Sequence, residues 1–343
     1  MIFPFLSGIL HPLRAPMTYF LLVINLFVFV ATYDSYSKTD ARLNEIMEDD
    51  RYLETQGSAF ADMIEREPEH FSETLRTMGK NSSKSDAEMR RMLGSLAFRN
   101  SAFMSSAASF EFSGDDVAIA SWKAKFLEVE ELQAAHPTFK WGLSTSHPGW
   151  MQYFSYQFAH SGWDHLFWNM IFLILFGCFL ETTLGGSFVI IGYVGGGLIG
   201  ALAFSSLSGI SSSPLVGASG AVSGLMGLVA FAWMGVDRIR FFYWLLPVRG
   251  YYGFALLPSW LVLIVSFVPD LSGYLSASKE FGSVAYSAHI GGAAFGGLMA
   301  FALKRGWLVR DVDDDDWDDE LEDDVDRDER ERRSKRDDDR KAG

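Results

Sequence analysis

Long uncharged apolar runs alternate with polar stretches along this chain, at intervals that suit membrane crossing. Met17–Tyr33 is the first run, followed by Leu166–Leu180, Phe188–Phe204, Ala221–Gly235, Tyr252–Val268 and Val284–Leu303. Several are only 15 to 17 residues long, near the lower limit for a hydrocarbon core of about 30 Å. Charges or clusters of Gly, Ser and Pro bound them, and Pro258 interrupts the fifth. The pattern predicts an all-α polytopic membrane protein with six transmembrane helices. The first run lacks a small-residue cleavage site and reads as a signal anchor that is retained.

The polar stretches divide the rest. Residues 1–16 form a short cytoplasmic lead, 17–33 the first span, 34–150 a long first outer segment, 151–304 a core of five spans and 305–343 a tail. The outer segment carries helical patterns. Ser85-x-x-Glu88 is a capping box ahead of Met89, Met92, Leu93 and Leu96. A second helix is expected over Ser121–Ala135, with Trp122, Phe126 and Val129 on one face and Pro137 past its end. A third is expected over much of 41–66. Asn25, alone in the first span, suits a helix–helix hydrogen bond. Segment 237–250 reads as interfacial, and 269–283 as an outer lid or plain connector.

Charge sets orientation. Arg14, Arg238, Arg240, Arg249, Lys304, Arg305 and Arg310 fall on one side of the predicted membrane, against Lys279 in the short loops of the other. Basic residues favour the cytoplasmic side, so both termini are expected there. The chain's formal net charge is −14, and Asp311–Gly343 holds 18 acidic and 8 basic residues. Such a tail has too little apolar surface to fold. No large basic patch exists, so no nucleic-acid partner is expected. With one cysteine, Cys178, an internal disulfide is impossible.

Polar chemistry gathers at one level of the predicted core. Counting inward at about 1.5 Å per residue, Ser219 stands roughly 27 Å above Asp237, and His289 roughly 22 Å above Lys304. His165 and Asn169 stand roughly 24 and 18 Å above Glu181. All four belong to the outer half. His165 and Asn169 are i and i+4 and share a helix face. Gly220 and Gly224 line one face of the fourth span, and His289, Gly292 and Gly296 one face of the sixth. Stripes of small residues let helix backbones approach closely, which would bring Ser219 to His289. A serine hydroxyl needs a base to take its proton, and neutral imidazole is the usual one. Neither span four nor span six holds an acid, so these residues read as a Ser–His dyad. The free N–H of Ser219 at a helix start, with the side chains of His165 and Asn169, would serve as oxyanion donors. The uncharged loop Ser205–Val216 could line a wet cavity.

Gly217-Ala218-Ser219-Gly220, Ala288-His289-x-x-Gly292-x-x-x-Gly296 and Phe158-x-His160-x4-His165-x3-Asn169 resemble, in order and placement, the three motifs of the rhomboid intramembrane serine proteases. The resemblance covers the first span and 150–304. It implies a six-helix rhomboid fold, Ser219 as nucleophile, His289 as base, oxyanion roles for His165, Asn169 and the Ser219 backbone, and neither metal nor cofactor. It implies single-span membrane proteins as substrates, cut near the outer boundary of the bilayer. His160 matches a position near the site, where a structural role is expected. Gly217, Gly220, Gly224, Gly292 and Gly296 are its close-packing residues. The chain departs from the family in lacking the Trp-Arg dipeptide of the first outer loop, in the length of 34–150, and in carrying Ser223 where some members place a tyrosine. A bacterial inner membrane is the expected location; the oligomeric state is left open. The alternatives are a catalytically silent rhomboid-like protein that binds membrane helices, which would lack the serine or the histidine, and a transporter with a histidine proton relay, which would show an inverted repeat.

Overall fold

The computed structural model describes residues 2–4, 12–82, 87–145, 148–208, 213–234, 239–244, 252–276 and 286–308. The acidic tail beyond 308 and the Ser85 capping box lie outside them. So do 277–285 of the expected outer lid or connector and half of the basic residues used for orientation, namely Arg238, Arg249, Lys279 and Arg310. The apolar helices are α1 (Pro16–Met47), α9 (Trp163–Leu184), α10 (Gly186–Leu207), α11 (Ser219–Ala232), α12 (Leu261–Ser276) and α13 (Tyr286–Lys304). Four of these, α1, α9, α10 and α13, are long and apolar enough to cross a bilayer, with mean hydropathy from 1.2 to 1.9. The chain is an integral membrane protein. Helices α11 and α12 are shorter, at 14 and 16 residues.

Helix α1 begins on Pro16, where a missing N–H costs nothing. Its first turn is held by a buried carboxylate: Met17 N, Thr18 N and Thr18 Oγ1 each donate to Glu181 at 2.7 Å. A negative charge at a helix N-terminus also meets the positive end of the dipole. Asn25 Nδ2 donates to Tyr193 Oη at 3.1 Å, so α1 and α10 share the buried hydrogen bond expected of that asparagine.

The segment between α1 and the core is a helical domain with its own buried cluster. Asp49 caps α2 (Asp50–Arg66), accepting from the amides of Arg51 and Tyr52, and so splits the expected 41–66 helix in two. Helices α3 (Glu73–Ser82), α4 (Ala87–Ala97), α5 (Ser101–Ser106) and α6 (Asp116–Ala135) follow. Phe60, Phe103, Trp122, Phe126 and Val129 are buried together. Gly57 and Gly94 let α2 and α4 touch backbone to backbone, and buried Gln56 donates to Gly94 O at 2.7 Å while accepting from Trp122 Nε1 at 3.3 Å. After α7 (Pro137–Trp141) the chain returns to the core through α8 (Gln152–Ser155).

Two expectations are corrected. The chain is not all-α: β1 (Ile2–Pro4), β2 (Ile239–Trp244) and β3 (Tyr252–Leu257) form an antiparallel sheet in the order β1-β2-β3. The interfacial segment therefore contains a strand, and the aromatic and β-branched content of Ile239–Trp244 suits one. The fifth span does not run Tyr252–Val268. Its first residues are β3, Pro258 stops continuation by disfavouring helix at the residue before it, and α12 starts at Leu261 and runs to Ser276. Pro269 and Asp270, expected in an outer loop, are thus helical. Ser259, at the turn, donates to Ala230 O at 3.0 Å and ties α12 to the foot of α11.

Candidate active site

The site is built where α10, α11 and α13 meet almost without side chains. A Cβ on Gly196 would stand 2.9 Å from Gly224 Cα. One on Gly224 would stand 2.6 Å from Gly192 O, and one on Gly292 or Gly296 would overlap the carbonyl of Gly220 or Gly224. Contacts this close exclude any other residue. They place the first turn of α11 against the first turn of α13. Ser219 Oγ lies 2.8 Å from His289 Nε2. On the other ring nitrogen, His289 Nδ1 lies 3.1 Å from Asp270 Oδ1. The carboxylate fixes the tautomer: Nδ1 carries the proton and donates to Asp270, which leaves Nε2 free to accept from Ser219.

Gly217 takes φ +107°, a conformation that favours glycine, and turns the chain into α11. A Cβ there would also strike the His165 ring, at 2.5 Å from Cε1. His165 Nδ1 contacts Ser161 Oγ at 2.9 Å. With Ser161 as donor, Nε2–H faces the turn that carries Ser219. Asn169 Nδ2 donates to His165 O at 2.8 Å and keeps a second N–H. His160 is buried, and its Nε2 accepts from Ala218 N at 3.4 Å while Nδ1 faces Phe158 O at 3.3 Å. It therefore supports the turn and does not reach Ser219. Two cavities open on the pair. One of about 250 Å³ lies among α9, α11 and α12, lined by Phe172, Phe176, Val222, Met226, Val262 and Asp270. The other, of about 450 Å³, is lined by His165, Trp168, Phe204 and Ser213–Val216. Ser219, His289 and Asn169 border both.

Residues 147–306 match the family model for the rhomboid domain. By that match this stretch is a rhomboid domain. It is 28% identical over 152 residues to Rhomboid protein 1, mitochondrial, of Saccharomyces cerevisiae, covering 43% of this chain and 40% of that one. It is 28% identical over 158 residues to Rhomboid-like protein 11, chloroplastic, of Arabidopsis thaliana, at 46% and 54%. Rhomboid-related protein 3 of Homo sapiens gives 28% over 199 residues, at 54% and 45%. The chain thus spans about half the length of these relatives.

Within the rhomboid domain, the motif residues converge and three further residues join them. Asp270 lies outside all three motifs. Its signal is a lone carboxylate in an otherwise apolar stretch, hidden because the expected fifth span, Tyr252–Val268, ends just before Pro269. Ser161 stands four residues before His165, at hydrogen-bonding distance from its ring. Tyr36, from α1, donates to Ser161 O at 2.5 Å; a tyrosine 125 positions away gave no signal. The insert also touches the rhomboid domain at Leu143, which pairs with Leu215 through two 2.9 Å backbone hydrogen bonds.

Proposed function

We propose that this chain is an intramembrane serine endopeptidase that cleaves single-span membrane proteins near the outer membrane boundary through an acyl-enzyme. The observation that carries this reading is the 2.8 Å approach of Ser219 Oγ to His289 Nε2, beside cavities deep in the apolar core. In the acylation step Ser219 Oγ bonds to the scissile carbonyl carbon and its proton passes to His289 Nε2. The carbonyl π electrons move onto oxygen. The Ser219 amide, His165 Nε2–H and the second Asn169 N–H are the donors for that oxyanion. Collapse breaks the C–N bond, and His289 returns the proton to the leaving amine. Water then repeats the sequence on the acyl carbon, releasing the new carboxyl terminus and restoring Ser219. The larger cavity, lined in part by irregular backbone at 213–216, is the route for that water.

The bilayer and transmembrane protein substrates are the expected partners. The test is cleavage of a single-span reporter by protein in liposomes, with fluorophosphonate labelling in parallel. Wild type should cleave and be labelled. Ser219→Ala and His289→Ala should each abolish cleavage while staying folded, and Ser219→Ala should resist the probe. A His289→Ala variant that cleaves as well as wild type would refute the assignment. Wild type that binds the reporter helix but neither cleaves nor labels would establish the silent rhomboid-like alternative.

A further inference from the structure

The dyad expected from the motifs has a third neighbour. Asp270 is on α12, His289 on α13, and their side chains retain only 17% and 21% of their exposure. Helices α12 and α13 are consecutive. Asp270 faces His289, and Gly273, three residues on, faces Tyr286, three residues back. This i, i+3 spacing on both helices puts each pair on a single stripe. The stripe leaves no room at its second rung, since a Cβ on Gly273 would run into the Tyr286 ring. The glycine thus lets α12 come close enough for Asp270 to reach Nδ1 at 3.1 Å. A carboxylate among Val262, Val265 and Met226, at the edge of the smaller cavity, is costly to keep unpaired. Among the described residues its hydrogen-bond partner is the base itself.

We propose that Asp270 is the positioning residue of a Ser219–His289–Asp270 triad, an inference that rests on the protease reading above. Asp270 does not touch substrate and takes no proton. It holds the Nδ1–H tautomer, aims Nε2 at Ser219 Oγ, and stabilises the imidazolium that exists between the two proton transfers. Its action is on turnover, because the positive ring appears only after Oγ has attacked.

Three variants test it in liposomes with the single-span reporter: Asp270→Asn, Asp270→Leu and Asp270→Glu. Soluble triads lose about 10⁴-fold in kcat when the acid becomes an amide. For this part-exposed pair, Asp270→Asn and Asp270→Leu are expected to lower kcat by about 10²-fold or more, with KM changed less than about threefold. The fluorophosphonate labelling rate should fall with kcat, since it needs the activated Ser219 and no substrate contact. Asp270→Glu restores a carboxylate and should recover part of both. Inactive, unlabelled wild type would overturn the protease reading itself. Active wild type with Asp270→Asn within about threefold in kcat and labelling would overturn the triad alone. So would losses that merely follow the folded fraction of each variant, or an Asp270→Glu no better than Asp270→Leu.

Discussion

Adding one methyl group at Gly292 should damage catalysis far more than folding. The Cβ of Gly292→Ala would stand 3.0 Å from the Gly220 carbonyl carbon, closer still to its oxygen, and 3.3 Å from Gly196 O. Non-bonded heavy atoms settle at about 3.5 Å and the oxygen overlap is the larger one, so α13 must retreat from α11 by more than about 1 Å at this level. His289 is one turn away on the same helix and Ser219 is the neighbour of Gly220. Their 2.8 Å contact would stretch to about 3.8 Å or more, past the limit of a hydrogen bond. A misplacement of about 1 Å can cost about 10²-fold in rate. Overpacking costs about 1–3 kcal/mol, and replacing a helical glycine by alanine returns about 1 kcal/mol. The assay is kcat on the reporter with a thermal unfolding midpoint in the same detergent. Gly297→Ala is the control, because its Cβ meets only the Phe231 ring, at 3.1 Å and beyond, and a side chain can yield. Gly292→Ala turning over within about threefold of wild type would show that the glycine seam does not set the catalytic distance.

Three more outcomes can be checked. Asn169→Ala removes one oxyanion donor of several and should cost at most about 10²–10³-fold in kcat, less than loss of Ser219 or His289. Glu181→Ala leaves three donors at the α1 N-terminus without an acceptor and should destabilise the protein by about 3 kcal/mol or more, read as a lower unfolding midpoint. Burial lowers the pKa of His136, opposed by Asp40. Its neutral Nδ1 caps α7 by accepting from Thr138 N. The unfolded chain therefore takes the proton first, and the stability that His136 supplies is full above about pH 6.5 and drains as pH falls toward the folded value. The hydrogen-exchange protection of 138–141, relative to the intrinsic rate at each pH, should fall in that window, and His136→Asn, which keeps a cap acceptor without a titrating ring, should flatten the response.

Much of the core was legible because membrane helices declare themselves by composition and because close helix contact demands glycine. Gly220, Gly224, Gly292 and Gly296 could be placed on facing stripes before any coordinates, and counting inward put Ser219 and His289 in the same half of the membrane, within about 5 Å in height. What escaped was whatever depended on a boundary. Pro258 and Pro269 both look like helix stops, yet only the first is one, and the error of a few residues hid Asp270. The strand at Tyr252–Leu257 was read as membrane helix because a short apolar run has no period that separates the two. In the insert, Trp122, Phe126 and Val129 were found from spacing, whereas the break at Asp49 was not, since α1 and α2 are both helical on either side of it. Contacts between distant segments, such as Tyr36 with Ser161, leave no local trace.

Helix α1 carries no glycine or proline after its first residue and runs for 32 residues, about 48 Å. Its lower end is clamped at Glu181, and its upper end is bolted to the insert by Arg42 and Glu128 at 2.7 Å. It is therefore an unbroken rod held near both ends. Tilting it by about 10° would swing the far end through about 8 Å. Any such tilt would be felt at Ser161 and Leu215, where residues 34–150 are fastened to the rim of the site.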